Sequence, residues 1–455
     1  MADVRVNMYM MKLKIFPTDR FLSADCTIRI KNIGKAPIET LGILLNKGLS
    51  VVSVSINDLE LPFTQGLTLF EDIEGIEVNF VRINFTKRVS LGEELTLSIR
   101  YEGGIQSYED VFRYVKDKIS AEYTLIRPDA FSYPIIGVPN FSRLVNMILS
   151  QSFDYEIEVS VPHSYTVANV GKLMNKKMYD DLVTYKFKSK LPSWRIDIAI
   201  ADFEIIRDSE IDLTIFALRD DIEHAKRLLN HTKRVLEFYI SNFGKPPIDW
   251  KGYTIIEIPA GWGNQADVCG MLLNKESFVN PEEIRGLYHE IAHLWNVKTR
   301  EKTPSRFLDE AFASYFQALA EEKLLGKNLN TLLERARRRI IEMCEKTPIL
   351  KTTPVSEYGK YKITDAVYYI GVWVLYLLNK IVGDACFKKM IQKFLNDYKE
   401  SGATLEDFVK VANKTCGEYL DQFFNDWLFG VKGIHYLLEE LPVSEIIDKY
   451  TEKEI

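Results

Sequence analysis

The chain has 455 residues, 46% of them hydrophobic and 12% aromatic, which suits two or three globular domains with buried cores and excludes a disordered chain. Its 58 basic and 64 acidic residues are interspersed and leave a formal net charge of -6, so no field concentrates nucleic acid or anionic lipid. Five scattered cysteines (Cys26, Cys269, Cys344, Cys386, Cys416) are odd in number and lack close CxxC spacing; they suggest neither a disulfide framework nor a cysteine zinc site and favour a reducing cytoplasm.

Met1 to Phe16 alternates polar and apolar residues and lacks the continuous apolar core of a leader, so it reads as a strand. Period two continues in Ile28 and Ile30, in Leu95, Leu97 and Ile99, in Ile157, Val159 and Val161, and in Ile196, Ile198 and Ile200. This predicts an all-β sandwich or curved-sheet domain over residues 1–205. A strand pair near Phe203 to Leu218 leads into Asp221 to Phe243, where Leu228, Leu229, Val235, Leu236 and Tyr239 share one helical face. A second, mostly helical domain is therefore placed at 206–455, and the whole chain in the α+β multidomain class. Within it Tyr253 to Ile258 reads as a short strand, and from Pro281 onward helices dominate, with Gly326, Gly383 and Gly430 as stops. The most lipid-like stretch, Ala366 to Leu378, is about 13 residues against the roughly 18 that span a bilayer. It reads as a buried helix, and no membrane insertion is expected.

The chemistry concentrates in His289-Glu290-Ile291-Ala292-His293. Asn280-Pro281-Glu282-Glu283 reads as the helix start, with Asn280 as N-cap and Glu283 closing a capping box. Histidines four apart on a helix project from one face and can share a single ion. Glu290, one position on, is carried beside the ion instead of onto it, where it can act as general base toward a water. A catalytic zinc takes three protein ligands and keeps one position open, so a further carboxylate is required. Ser305 to Leu325 has helical periodicity, and Glu310 lies off its apolar stripe with small Ala313 and Ser314 one turn on. Asp309 is the competing ligand, about 100° round the helix; Glu310 is favoured.

These residues resemble the gluzincin metallopeptidases, in particular the zinc aminopeptidase family that includes alanyl aminopeptidases and leukotriene-A hydrolase. The similarity extends over nearly the whole chain. Phe307-Leu308-Asp309-Glu310-Ala311-Phe312-Ala313-Ser314-Tyr315 is similar to the run that carries the family's third ligand, but the sixteen-residue spacer after His293 is two residues shorter. His293-Leu294-Trp295-Asn296-Val297-Lys298 also resembles the related glycyl aminopeptidases. Asn242-Phe243-Gly244-Lys245-Pro246-Pro247, Pro192-Ser193-Trp194 and the segment Gln422 to Gly430 resemble further family landmarks.

The resemblance implies a thermolysin-like catalytic domain, one Zn2+ per chain on His289, His293 and Glu310, and a peptide substrate. It also implies that Tyr368, in Tyr368-Tyr369-Ile370-Gly371, donates to the oxyanion of the tetrahedral intermediate. The family's large C-terminal helical domain is expected to be absent. Gly261-Trp262-Gly263-Asn264-Gln265 stands where the family carries a glutamate that grips the substrate's amino terminus; here Asn264 takes that place. Asp267 and Glu257 are candidate substitutes, and Gly261, Asn264 and Gln265 are candidate substrate contacts along an edge strand. The leading expectation is removal of N-terminal residues from short peptides. The alternatives are a hydrolase of blocked peptides, other amides or epoxides, or a non-catalytic zinc-binding scaffold. Oligomeric state is left open.

Overall fold

A computed structural model describes residues 4–246, 251–417 and 420–451. The chain forms two compact units, Met1–Lys226 with Lys251–Asn280, and Arg227–Trp250 with Pro281–Ile455.

In the first unit the alternating segments form an eight-stranded sheet. The hairpin Val4–Phe16 and Phe21–Asn32 lies at its centre, flanked by Asp154–Pro162 on one side and Glu94–Gly103 on the other. A four-stranded sheet built on Ile38–Leu45 and Glu77–Val89 contributes Ile43, Leu45, Val81 and Ile83 to the same core as Ile28, Ile30, Ile99 and Val159. Inward residues alternate with outward polar ones, as in a sandwich. A buried charge network ties the sandwich to the segments beyond it. Asp117 pairs with Arg127 at 2.7 Å, and Arg195 pairs with Asp129 at 2.8 Å and with Asp197 at 2.6 Å.

A five-stranded sheet follows, ordered Phe203–Asp208, Leu213–Leu218, Tyr253–Ile258, Gly270–Asn274 and Gln265–Asp267. Tyr253–Ile258 pairs in parallel with both neighbours and is buried along its entire length, which explains why it is mainly apolar, with Thr254 and Glu257 as its polar residues. The expected division at 205/206 falls inside the first strand of this sheet. The compact units divide instead at 226/227, because main-chain pairing holds Lys251–Asn280 to the strands before it.

The second unit is helical, with Phe312–Leu325, Leu329–Lys346, Val367–Val382, Asp384–Tyr398 and Leu405–Cys416 as its main helices. Phe408 packs edge-on against Phe312, Phe394 and Phe424 in its core, and Phe312 lies tilted against Phe394. Gly326 (φ 68°) and Gly383 (φ 79°) end helices in backbone regions that favour glycine. Thr364–Val382, 19 residues, is the one described helical segment long and apolar enough to cross a membrane. It exceeds the run expected from sequence but is 67% buried, as suits a core helix.

Two expectations are corrected. Cys386 and Cys416 form a disulfide, while Cys26, Cys269 and Cys344 are free and buried. Thirty residues separate the pair in sequence, but the helices Asp384–Tyr398 and Leu405–Cys416 pack together and bring their Cα atoms to 6.0 Å. The scattering of cysteines thus hid a bridge, and it no longer argues for a reducing compartment. The helix start also differs. Asn280 closes the preceding helix, its N–H bonded to the Glu276 carbonyl at 2.9 Å; Pro281–Glu283 form a 3-10 turn, and the α-helix begins at Arg285.

Candidate metal centre and active site

His289 lies in the last turn of the helix Arg285–Ala292, and His293 opens the 3-10 turn His293–Trp295 that follows. The short helix is anchored from behind. Tyr239 donates to the Tyr288 carbonyl at 3.0 Å, and the Trp295 indole donates to the Gly244 carbonyl at 2.9 Å. The Asn242-Phe243-Gly244 landmark is therefore partly a docking point for the histidine segment; Pro247 lies outside the described residues.

Glu310 comes from a less regular element. Phe307–Ala311 winds as a π-turn before the α-helix Phe312–Leu325 begins, so the single α-helix expected from Ser305 is interrupted where the carboxylate is presented. The Glu310 Oε2 lies 3.1 Å from His289 Nε2 and 3.6 Å from His293 Nε2. One donor atom from each residue falls within 4.8 Å of the others. Asp309 is not part of that group; its carboxylate accepts from Arg306 and from the Glu310 N–H at 2.7 Å.

The donor set fits zinc: two imidazole nitrogens and one carboxylate are the ligands of a catalytic site. Donors about 2.1 Å from a tetrahedral ion lie about 3.4 Å apart, close to the spacings around Glu310 Oε2. The outer nitrogens are supported as well. His289 Nδ1 meets Gln317 Oε1 at 3.2 Å, and the Gln317 amide donates to buried Glu321 at 2.6 Å. His293 Nδ1 lies 2.6 Å from the Asn296 amide nitrogen, while Asn296 Oδ1 is buried without a partner. Turning that amide over satisfies both groups, because an imidazole that binds metal through Nε2 carries its proton on Nδ1.

Charge follows this arrangement. Burial alone would raise the Glu310 carboxyl, but the bond from His289 and the charges of His293 and Arg306 bring it down to about 2. Burial lowers His293 to about 4. Burial also works against a charged His289, yet its contacts with Glu310 and the nearby Glu290 raise it. Tyr368 stacks its ring on His289, 5.8 Å between centroids, and burial followed by the Glu310 charge keeps its phenol protonated and able to donate. The helix Val367–Val382 reaches this position because Gly371, one turn on, lies directly against Ala311 of the π-turn. Glu290 is half-buried beside His289 on the same helix.

The structure thus brings His289, His293, Glu310 and Tyr368 together in the second unit. Gly261, Asn264 and Gln265 belong to the first unit. Gly261 (φ 73°) donates its N–H to Glu276 at 2.8 Å, and Asn264 Oδ1 accepts from the Asn274 N–H at 2.7 Å. Gln265 opens the edge strand Gln265–Asp267. Asp267 is buried and accepts from Ser193 at 2.7 Å; Glu257 is fully buried and accepts from the Leu218 N–H at 2.7 Å. Sequence reasoning did not find Arg306, Gln317 or Asn296. Only the position of Asn296 three residues after His293, on the same short turn, could have pointed to one of them.

A His-Glu-x-x-His helix with a glutamate from the next helical segment, joined in one chain to a β-rich unit, defines the gluzincin class of metallopeptidase. Residues 267–427 match the peptidase family M1 domain. The chain is 25% identical over 315 residues to probable aminopeptidase 2 of Sulfurisphaera tokodaii, covering 65% of this chain and 39% of that protein. It is 20% identical over 403 residues to leucyl aminopeptidase of Saccharolobus solfataricus, covering 84% and 48%. It thus spans less than half the length of these relatives. Among solved structures, an M1 zinc metallopeptidase from Deinococcus radiodurans superposes with a TM-score of 0.67 at 17% identity, covering 93% of this chain and 94% of that one. Native yeast LTA4 hydrolase superposes at 0.69 and 16% identity, covering 94% and 68%. The solved structures share the fold, and the sequence matches show that this chain is similar to peptidase family M1 over residues 267–427 and to aminopeptidases over part of their length.

Proposed function

We propose that this chain is a zinc-dependent peptidase that removes N-terminal residues from short peptides, with one zinc held by His289, His293 and Glu310. The observation that carries the proposal is the convergence of these three side chains with a glutamate, Glu290, next to the first histidine. Zinc bound there supplies Lewis acidity, which makes a water more acidic and polarises the substrate carbonyl. Glu290 accepts the proton of the attacking water and passes it to the leaving amine. Tyr368, kept protonated, donates a hydrogen bond to the carbonyl oxygen as negative charge builds on it and so favours the transition state over the ground state. Gln317, itself held by Glu321, and Asn296 meet the outer nitrogens of His289 and His293 and orient the two imidazoles.

A second reading, hydrolysis of substrates without a free amino terminus, is favoured by the first unit. Asn264 replaces the expected glutamate and its oxygen is committed to Asn274, while Asp267 and Glu257 are buried among their own partners. An ammonium group brought out of water needs a compensating carboxylate. A panel of aminoacyl amides and short peptides, each with free and acetylated amino termini, separates the two. Preference for free termini supports the leading reading, and equal or better turnover of acetylated substrates supports the second.

A further inference from the structure

Arg306 is the residue just before the π-turn, and its backbone lies in the left-handed region (φ 67°, ψ 16°). A non-glycine side chain rarely adopts that conformation unless its surroundings hold it there. The guanidinium shows what does so. It forms an ion pair with Glu310 Oε1 and another with Asp309 Oδ2 at 3.3 Å, reaching residues three and four positions on. Glu310 is 5% exposed and turns its other oxygen, Oε2, to both histidines. The two oxygens of one carboxylate are thus divided between an arginine and the histidine pair.

We propose that Arg306 is a positioning residue for the third zinc ligand: with Asp309 as its counter-ion, it fixes one oxygen of Glu310 and leaves the other free to bind metal. The proposal rests on the reading that Glu310 is a ligand. Asp309 has a distinct part in it. A lone guanidinium this close would repel a divalent cation, whereas the Arg306–Asp309 pair is neutral and leaves only the orienting effect. The planar fork of arginine engages two carboxylates at once, which a lysine ammonium on its flexible stem does less well. A purely structural alternative, an ion pair that steadies the loop, would affect folding without acting through Glu310.

The test is zinc affinity of the full chain by competition with a chromophoric chelator, in a double-mutant cycle of Arg306→Gln and Glu310→Gln. Arg306→Gln is expected to weaken zinc binding by about 10–100-fold, the usual effect of removing a partner of a metal ligand. In the Glu310→Gln background the same change is expected to cost less than about twofold, because the group it acts through is already altered. Arg306→Lys should fall between parent and Arg306→Gln, and Asp309→Asn should weaken binding by exposing the arginine charge. Melting of each zinc-free variant reports folding; if Arg306→Gln does not fold, the cycle is run with Arg306→Lys. Parent-like affinity in the Arg306 variant, or the same loss in both backgrounds, would overturn the proposal. If Glu310→Gln alone leaves zinc binding intact, the ligand reading itself fails, an outcome distinct from the failure of Arg306.

Discussion

Tyr368 and His289 illustrate how much of the site depends on placement of single side chains. A phenol stacked on the His289 imidazole and held protonated by burial keeps an O–H that can donate a hydrogen bond. Tyr368→Phe removes that donor, together with the hydroxyl's interaction with Glu310, and leaves the ring in place. Its expected effect is a fall of about 10²–10³ in kcat with KM nearly unchanged, which steady-state kinetics on an aminoacyl amide would show. A rise in KM at constant kcat would place the hydroxyl in ground-state binding. The histidines and Glu310 were legible in the sequence because their chemistry depends on spacing along a chain. Arg306, Gln317 and Asn296 were not, because their roles arise from contacts with the ligands that spacing does not encode. The π-turn that presents Glu310 left no mark in the apolar periodicity.

At the scale of elements, helix Val367–Val382 approaches the π-turn closely at Gly371. A Cβ on Gly371 would run into the Cβ of Ala311. Gly371→Ala should therefore push Tyr368 and Glu310 apart, cost about 1–3 kcal/mol of stability, and weaken zinc binding; thermal melting and chelator competition measure the two effects. Adding Ala311→Gly should recover part of both, and no recovery would mean the clash is not the cause. The Cys386–Cys416 bridge closes a loop of 30 residues between neighbouring helices. Its reduction should lower stability by about 3–4 kcal/mol on the loop-entropy account, read as the shift in urea midpoint with and without reductant. This bridge was illegible because scattered cysteines reveal nothing until helix packing sets their separation. The buried strand Tyr253–Ile258 and the helix stop at Gly326 were legible, since a mainly apolar run and a left-handed cap each have a local cause. The true start of the histidine helix was not, because Asn280 suits the end of one helix as well as the start of another.

At the scale of the whole molecule, the first unit carries acids whose burial links its stability to pH. Burial, mainly, raises Glu257 to about 8 and Asp267 to about 6. In the folded chain both hold protons over a range where the unfolded chain, with carboxyl pKa values near 4, has lost them. Folding therefore takes up protons there, and stability falls as pH rises from about 5 to about 8. Urea midpoints across that range should decline, and Glu257→Gln, which imitates the protonated acid, should flatten the slope; an unchanged slope would remove Glu257 as the cause. The two-part organisation, β-rich then helical, was legible because period two gives way to period 3.6. The boundary was not, since only strand pairing shows which neighbours Lys251–Asn280 keeps. The proposed function requires that His289, His293 and Glu310 hold a zinc ion beside a working base. The most direct measurement strips the purified chain with a chelator, returns one equivalent of zinc, and follows aminoacyl-amide hydrolysis by the parent and by Glu290→Gln. The parent is expected to lose and regain activity, while Glu290→Gln takes up the zinc yet stays about 10²–10⁴-fold slower. Hydrolysis that survives chelation, or a zinc-loaded Glu290→Gln as fast as the parent, would contradict it.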